Sequence, residues 1–202
     1  SKRSGTSVTA SPSEVEMADA EGAGEENSLV ARAAEAVGGV VLEALETAKV
    51  GVAADRWSEA LRIARDDLGL SFFSWLSAVH WANDPQVGDP LSAEVTERFE
   101  LLCAVSDVTA GELVVFSTDL EATDPSIDSL IEVFPGADWH ERECREMFGI
   151  NFAGHPRPEN LYLPNGFVGH PLLKSFPLLS REVKPWPGEV DVEDMPEVME
   201  GG

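Results

Sequence analysis

W-H-E-R-E-C-R-E-M-F-G-I-N-F-A-G-H-P, residues 139–156, is the stretch on which the interpretation of this chain depends. Alternating arginines and glutamates come directly before a run of large apolar residues. Gly149 and Gly154 interrupt that run, because glycine supplies backbone conformations that other residues avoid. The pattern indicates a charged turn that runs directly into an apolar one and breaks at Gly149 and Gly154, which is not typical of an ordinary loop.

The charges of this stretch have helical spacing. Glu141 precedes Arg145 by four residues, and Arg142 precedes Glu146 by four, so each pair can meet on a helix surface. One interpretation is therefore a solvated helical face whose charges pair with one another. The other is an interface, in which the charged head makes charge-assisted hydrogen bonds to a partner while Phe148 and its apolar neighbours hold the core.

A catalytic interpretation of the same stretch is weaker. His140, Glu141 and Cys144 read H-E-x-x-C, one residue away from the H-E-x-x-H zinc arrangement. No third ligand stands at a suitable spacing, since His155 and His170 lie in Gly-Pro turns. A cysteine–histidine nucleophile would also need an orienting third group. We expect Cys144 to be buried and inert, and a stand-alone metal-dependent enzyme that uses His140 and Cys144 remains a remote alternative.

Composition narrows the classes of function. The 202 residues include 37 acidic and 14 basic side chains, a formal net charge of −23. This charge argues against nucleic-acid binding and against adsorption on an anionic membrane, and it favours docking on a basic protein partner. Two cysteines are too few for an iron–sulfur cluster and favour a reducing compartment. No apolar run approaches the roughly 20 residues that cross a bilayer, so we expect no direct membrane insertion.

Upstream of the stretch, the sequence predicts helices packed on a small mixed or antiparallel sheet, an α+β fold. Apolar residues at three- and four-residue spacing predict a helix over 29–45, weakened at Gly38-Gly39, and a second helix after Asp55. Strands are predicted over 72–81, 99–105 and 113–117, the last two as a hairpin. Thr123-Asp124-Pro125 is typical of the start of a further helix.

The two ends differ from this domain in composition. Residues 1–27 are small, polar and acidic, which predicts a disordered acidic leader before a domain at 28–150. Residues 151–202 hold most of the prolines and predict an extended C-terminal arm with an acidic tail, with a small hairpin around Asn165-Gly166. Apolar residues such as Trp186 stand among the acids of the tail, which favours an arm that lies along a partner.

The run E-R-E-x-x-E-M-F-G-I-x-F-x-G-H-P resembles the signature of the 30-kDa subunit, also called the C subunit, of proton-pumping NADH–quinone oxidoreductase, respiratory complex I. Residues 166–178, G-F-V-G-H-P-L-L-K-S-F-P-L, resemble a second stretch of that family, and K-P-W-P-G at 184–188 is similar to actinobacterial versions. The chain departs from the family pattern at Glu159, Asn160, Leu173 and Ser175. The resemblance implies a partner interface at Glu141, Arg142, Glu143, Glu146, Phe148, Gly149, His155, Pro156, His170, Pro171 and Lys174.

The resemblance also implies a function. The 30-kDa subunit is a structural, non-redox component of the hydrophilic arm of the complex, so no cofactor is expected in this chain. Flavin, iron–sulfur clusters and quinone would belong to partner subunits, and subunits D and B would be its neighbours. It would lie on the cytoplasmic side of the inner membrane, attached through the complex. The equivalent subunit of a related membrane-bound hydrogenase, or of a dehydrogenase with another electron donor, is the alternative.

Overall fold

The computed structural model describes residues 28–42, 48–83 and 94–177, so the predicted leader and acidic tail lie outside the described residues. The fold is α+β, as predicted. A 3₁₀ turn at Ala54–Arg56 precedes the second helix. In chain order the helices and strands are α1 Leu29–Val37, β1 Val40–Leu42, β2 Lys49–Gly51, α2 Trp57–Asp66, β3 Phe72–Trp81, β4 Arg98–Asp107, β5 Glu112–Glu121, β6 Ser126–Asp128, α3 Ala137–Phe148 and β7 Asn151–Ala153.

A five-stranded sheet organises the domain. Its strand order is β1-β2-β5-β4-β3, with β2 parallel to β5 and the other neighbours antiparallel. Asp107 forms the turn between β4 and β5 by accepting the N–H groups of Thr109 and Ala110 at its side chain. The predicted strands and the predicted hairpin are confirmed, and the sheet is mixed.

One face of this sheet carries the core. A row of four side chains, each at most 1% exposed, crosses the sheet in register. It consists of Val50 in β2, Phe116 in β5, Cys103 in β4 and Leu76 in β3. Residues of all three helices join the same apolar cluster, so the helices pack on this face. Burial of this apolar surface is the main stabilising contribution to the fold. None of the helices in the described part of the chain is both long and apolar enough to span a membrane.

The first helix is shorter than predicted. Gly38 adopts φ 64° and its N–H returns to the carbonyls of Ala34 and Glu35, which ends α1. This left-handed conformation suits glycine and closes helices in a common motif. Val40 and Val41, which continued the helical spacing, instead lie in β1, so the prediction of a helix up to residue 45 is wrong at this point.

The predicted helix after Pro125 is also wrong. Residues 126–128 form β6, which pairs in parallel with β7, and the N–H of Asn151 donates to the carbonyl of Pro125 over 2.8 Å. Asn165-Gly166 does form a turn, closed by the N–H of Phe167 on the carbonyl of Pro164. The residues on either side of that turn form no strands, so the predicted small hairpin is wrong as well. The extended C-terminal arm is not confirmed, because residues 178–202 lie outside the described residues.

Candidate docking site around helix α3

Helix α3 has one buried stripe. Ala137, Glu141, Cys144 and Phe148 recur at three- and four-residue spacing and all are buried. The helix ends at Gly149, which has φ 83° and donates its N–H to the carbonyl of Arg145 over 3.0 Å. A glutamate on an apolar stripe requires hydrogen-bond partners inside the protein, because an uncompensated buried charge is costly.

Glu141 finds these partners in the turn before α3. Its two carboxylate oxygens accept the hydroxyl of Ser129 and the N–H of Leu130, each over 2.6 Å. The side chain is 0% exposed, and burial raises the pKa of Glu141 to about 7, against the lowering effect of these two hydrogen bonds. Glu141 therefore fixes the connection between β6 and α3.

Glu146 binds backbone rather than a side chain. Its carboxylate accepts the N–H groups of three consecutive residues, Leu161 at 3.0 Å, Tyr162 at 3.0 Å and Leu163 at 2.5 Å. Burial alone would raise the pKa of Glu146, but these amides and nearby Arg142 bring it below its ordinary value. The ionised carboxylate thus holds a bend of the chain on α3.

Arg142 binds the same region through its carbonyls. Its Nε donates to the carbonyl of Glu159 over 2.8 Å and its Nη2 to that of Asn160 over 3.3 Å. Because Arg142 contacts only the backbone of these two residues, the departures from the family pattern at Glu159 and Asn160 leave its contacts intact. Glu141, Arg142 and Glu146 are all buried, so the interpretation of a solvated, self-paired helical face is wrong.

Two histidines complete the attachment. His155, with a side chain 2% exposed, has its Nε2 3.2 Å from the carbonyl of Asp138. His170 donates its Nδ1–H to the carbonyl of Glu146 over 2.8 Å. We call Arg142, Glu146, His155 and His170 the α3 clamp, and residues 155–174 the clamped segment. The clamp gives this segment a defined path although it contains no helix or strand.

The remaining predicted site residues divide by exposure. Phe148 is buried and packs edge-on against Phe99. Glu143 and Pro171 are half-buried, and Pro156 and Lys174 are exposed. Gly149 is a close-approach position, since a Cβ there would lie 2.9 Å from Nε2 of His170. The structure thus brings most of the predicted residues together around the C-terminal half of α3, and their role as a partner interface stays a prediction.

The histidine and cysteine of the H-E-x-x-C run serve structural contacts. Nδ1 of His140 lies 3.1 Å from the carbonyl of Leu76, and its ring packs edge-on against Phe73. Cys144 is buried, as predicted, and burial raises the pKa of its thiol far above the ordinary range. The described ranges contain no group of three or more histidines, cysteines or carboxylates placed to hold a metal ion. The geometry therefore lends no support to the metalloenzyme alternative.

Sequence reasoning missed two participants in the site. Ser129 positions Glu141, and His80 of β3 accepts the N–H of Lys174 at its Nδ1 over 3.0 Å. For His80 a signal did exist, because it alternates with Leu76 and Ala78 on the core face of β3. A histidine at such a position must find a polar partner, and here the partner is the end of the clamped segment.

Comparison with known proteins gives a consistent result. The family model of the respiratory-chain NADH dehydrogenase 30 Kd subunit matches residues 50–182. The C subunit of NADH-quinone oxidoreductase from Rhodobacter capsulatus is 37% identical over 122 residues, 59% of this chain and 55% of that protein. The homologous protein of Citrifermentans bemidjiense is 32% identical over 132 residues, 65% of this chain and 75% of that protein. The chain spans about half the length of the first of these relatives.

A solved structure shows the same fold. A chain of the membrane-bound sulfane sulfur reductase, described as an archaeal respiratory membrane complex, superposes with a TM-score of 0.51. The superposition covers 79% of this chain and 95% of that chain at 18% sequence identity, a likeness of fold alone. The family match includes α3, the α3 clamp and the whole clamped segment. The chain therefore belongs to the family of the 30-kDa subunit of respiratory-chain NADH dehydrogenase.

Proposed function

We propose that this chain acts as a non-redox structural component, the 30-kDa or C subunit, in the hydrophilic arm of a proton-translocating NADH–quinone oxidoreductase. In this proposal it docks on subunits D and B and supports electron transfer from NADH to quinone without holding a cofactor. Flavin, iron–sulfur clusters and quinone belong to the partners. The protein lies on the cytoplasmic side of the inner membrane and is attached there through the complex.

The observation that carries the proposal is that the charged residues of the α3 clamp make their hydrogen bonds within this chain. The charged side chains of Arg142 and Glu146 bind backbone groups of the same chain over 2.5–3.3 Å. A side chain with its hydrogen bonds made inside the protein has little left to offer a substrate or a partner directly. The motif therefore supports a structural role: it gives the clamped segment a fixed shape.

The clamped segment in turn offers apolar contacts. Four large apolar side chains of the segment are exposed: Tyr162, Phe167, Val168 and Leu172. A concentration of exposed apolar side chains on a surface often marks a site of protein–protein interaction. Aromatic residues in particular are enriched at protein interfaces. A rigid segment also loses less conformational entropy on association than a flexible one does. These properties support docking through the clamped segment. In this arrangement the charged side chains of α3 hold the segment in shape, and the segment makes the contacts with the partner.

A second candidate is the equivalent subunit of a membrane-bound complex with another electron donor. The shared fold with the chain of the archaeal sulfane sulfur reductase complex favours keeping this candidate. Both candidates use the same architecture and differ in the enzyme to which the chain belongs. The electron donor of the isolated complex distinguishes them.

The test is co-isolation from native membranes with an affinity tag on the full chain. We expect subunits D and B to co-purify, with NADH–quinone reductase activity in the eluate. Recovery of D- and B-like subunits with activity toward another donor supports the second candidate. Recovery of the chain alone, from membranes in which the untagged control shows an intact complex, contradicts the proposed function.

A further inference from the structure

A cavity of about 540 Å³ lies between the C-terminal end of α3 and the clamped segment. Its apolar wall is formed by Ile150, Leu163, Phe167 and Val168. The cavity is open to the surface, and Val168 at its rim is 88% exposed. Concave surfaces of this kind, with an apolar wall and a few polar groups, are typical of binding sites.

The polar side of the cavity carries one cation and one carboxylate. Arg145 lies on it, and within the described residues its guanidinium makes no hydrogen bond or ion pair with another side chain. The carboxylate in the lining belongs to Glu146, whose oxygens already accept three backbone N–H groups. Of the two charged groups in the lining, Arg145 is therefore the one with hydrogen-bond donors left for a ligand, in a chain whose net charge is −23.

His170 supplies a second polar contact. Its Nδ1–H donates to the carbonyl of Glu146, which leaves Nε2 as a hydrogen-bond acceptor beside Gly149. The cavity therefore combines a cation, an acceptor and an apolar wall. A peptide loop with a carboxylate, a backbone N–H and an apolar side chain complements all three.

We propose that this cavity receives a loop of a partner subunit that presents an Asp or Glu together with an aliphatic or aromatic side chain. The carboxylate pairs with Arg145 and the apolar side chain lies against Phe167 and Val168. This inference rests on the proposed function and identifies the chemistry of the partner surface. An open cavity whose rim carries exposed apolar side chains can accept a protruding loop of a partner protein.

Site-specific photo-crosslinking of the full chain in native membranes tests the contact. A benzophenone amino acid at Val168 is expected to crosslink to an acidic and apolar loop of a co-isolated subunit, identified by peptide mass spectrometry. The matched control is the same amino acid at Val108, which is 69% exposed in the β4–β5 turn and far along the chain. Crosslinks from Val168 to this chain itself, to a second copy or to a basic segment overturn the proposal.

Charge exchange supplies the second arm of the test. Arg145→Glu is expected to lower the Val168 crosslink yield about tenfold, and Arg62→Glu, on the exposed side of α2, to leave it unchanged. Exchanging the crosslinked partner carboxylate for Arg in the Arg145→Glu background is expected to restore the yield. An unaltered yield with Arg145→Glu, or absence of rescue when the melting temperature is that of the wild type, overturns the proposal.

The two proposals fail in different ways. If the tagged wild-type chain does not co-isolate with subunits D and B, the proposed function fails. If it co-isolates with them while Val168 gives no crosslink to any partner, the complex assignment stands and only the assignment of this cavity fails.

Discussion

His80 and Lys174 are joined by a hydrogen bond between positions 94 residues apart, in which Nδ1 of the ring accepts the backbone N–H over 3.0 Å. Because Nδ1 accepts, the ring proton belongs on Nε2, which lies 3.0 Å from a carboxylate oxygen of Glu97. The ring also stacks on Phe99 with a centroid distance of 4.8 Å. His80 therefore attaches the end of the clamped segment to the sheet independently of α3.

Replacing His80 by Phe is expected to loosen this end of the segment. The substitution keeps an aromatic ring against Phe99 and removes the acceptor for Lys174, and a partly buried N–H without a partner costs about 1–3 kcal/mol. Limited trypsin digestion should then cut after Lys174 at least about tenfold faster, as followed by intact mass spectrometry. Cleavage after Arg62 in α2 is the internal control. Equal rates of cleavage after Lys174 in both proteins would show that the hydrogen bond does not restrain the segment.

The sequence predicted those parts of the fold that depend on neighbours along the chain. The β4–β5 hairpin could be predicted because its turn, from Asp107 to Gly111, is local. The β6–β7 pair could not, because Ser126 pairs with Asn151, and a three-residue strand has no periodicity of its own. The helical spacing of Val40 and Val41 is coincidental. The left-handed conformation of Gly38 ends α1 before these residues.

The same distinction applies to the candidate site. Its residues could be identified from the motif, and the burial of Glu141 could have been inferred from its place on the stripe with Ala137 and Cys144. The partners of Glu146 could not be identified, because they are backbone amides 15 to 17 positions later. Every residue except proline carries such a group, so no side-chain pattern marks the ones that bind.

Glu141→Gln is expected to change the pH dependence of stability. The pKa of Glu141 is raised to about 7 from an ordinary 4.5, so the folded state binds the proton more tightly than the unfolded state does. Its contribution is fully present below pH 4.5 and is lost as the pH rises through about 7, a change on the order of 3 kcal/mol. Gln can still accept from Leu130 and donate to Ser129 without titrating.

The measurement is urea unfolding of both proteins at pH values between 4.5 and 7.5. The difference between wild type and Glu141→Gln isolates the contribution of this residue from those of the other carboxylates. We expect the wild type to lose stability relative to the variant as the pH rises. A constant difference across this range would contradict a raised pKa at Glu141.

Glu146→Gln is expected to release the bend at residues 161–163. Gln offers one acceptor oxygen, and its NH₂ group would face N–H groups that it cannot bind, so charge-assisted hydrogen bonds are lost. Chymotrypsin should cut after Tyr162 at least about tenfold faster in this variant. Glu143→Gln, on the same helix but half-buried, is the matched control and should leave the rate unchanged.

The pH dependence at Glu146 has the opposite sign to that at Glu141. Its pKa lies below the ordinary 4.5, so its contribution is present above that value and is lost as the pH falls through the folded-state pKa. Cleavage at Tyr162 by an acid-tolerant protease should therefore rise below about pH 4.5 in the wild type. If acidification exposes Tyr162 equally in Glu146→Gln, another group controls the release.

Gly149→Ala and Gly154→Ala form a matched pair. Both residues have φ 83°, but a Cβ at Gly149 would lie 2.9 Å from Nε2 of His170, whereas a Cβ at Gly154 would meet nothing within 4 Å. Both substitutions carry about 1–2 kcal/mol of left-handed backbone strain, and only that at Gly149 adds a clash. The clash is hard to relieve because His170 is held by the carbonyl of Glu146. Chemical denaturation should show the larger loss for Gly149→Ala, and His170→Ala should remove the excess in a double-mutant cycle.

Arg142→Ala addresses the link from the α3 clamp to assembly. The substitution leaves the carbonyls of Glu159 and Asn160 without their donor and removes a buried cation, while the bonds of Glu146 and His170 remain. We expect a clamped segment with an altered path and a several-fold lower yield of assembled complex from native membranes. The flavin and iron–sulfur content per assembled complex should be unchanged, because Arg142 holds no cofactor in the proposed function.

Lys is not an adequate replacement for Arg142, since its single ammonium cannot reproduce the two-point geometry of the guanidinium. Normal assembly together with normal NADH–quinone activity in Arg142→Ala would count strongly against a role of the α3 clamp in docking.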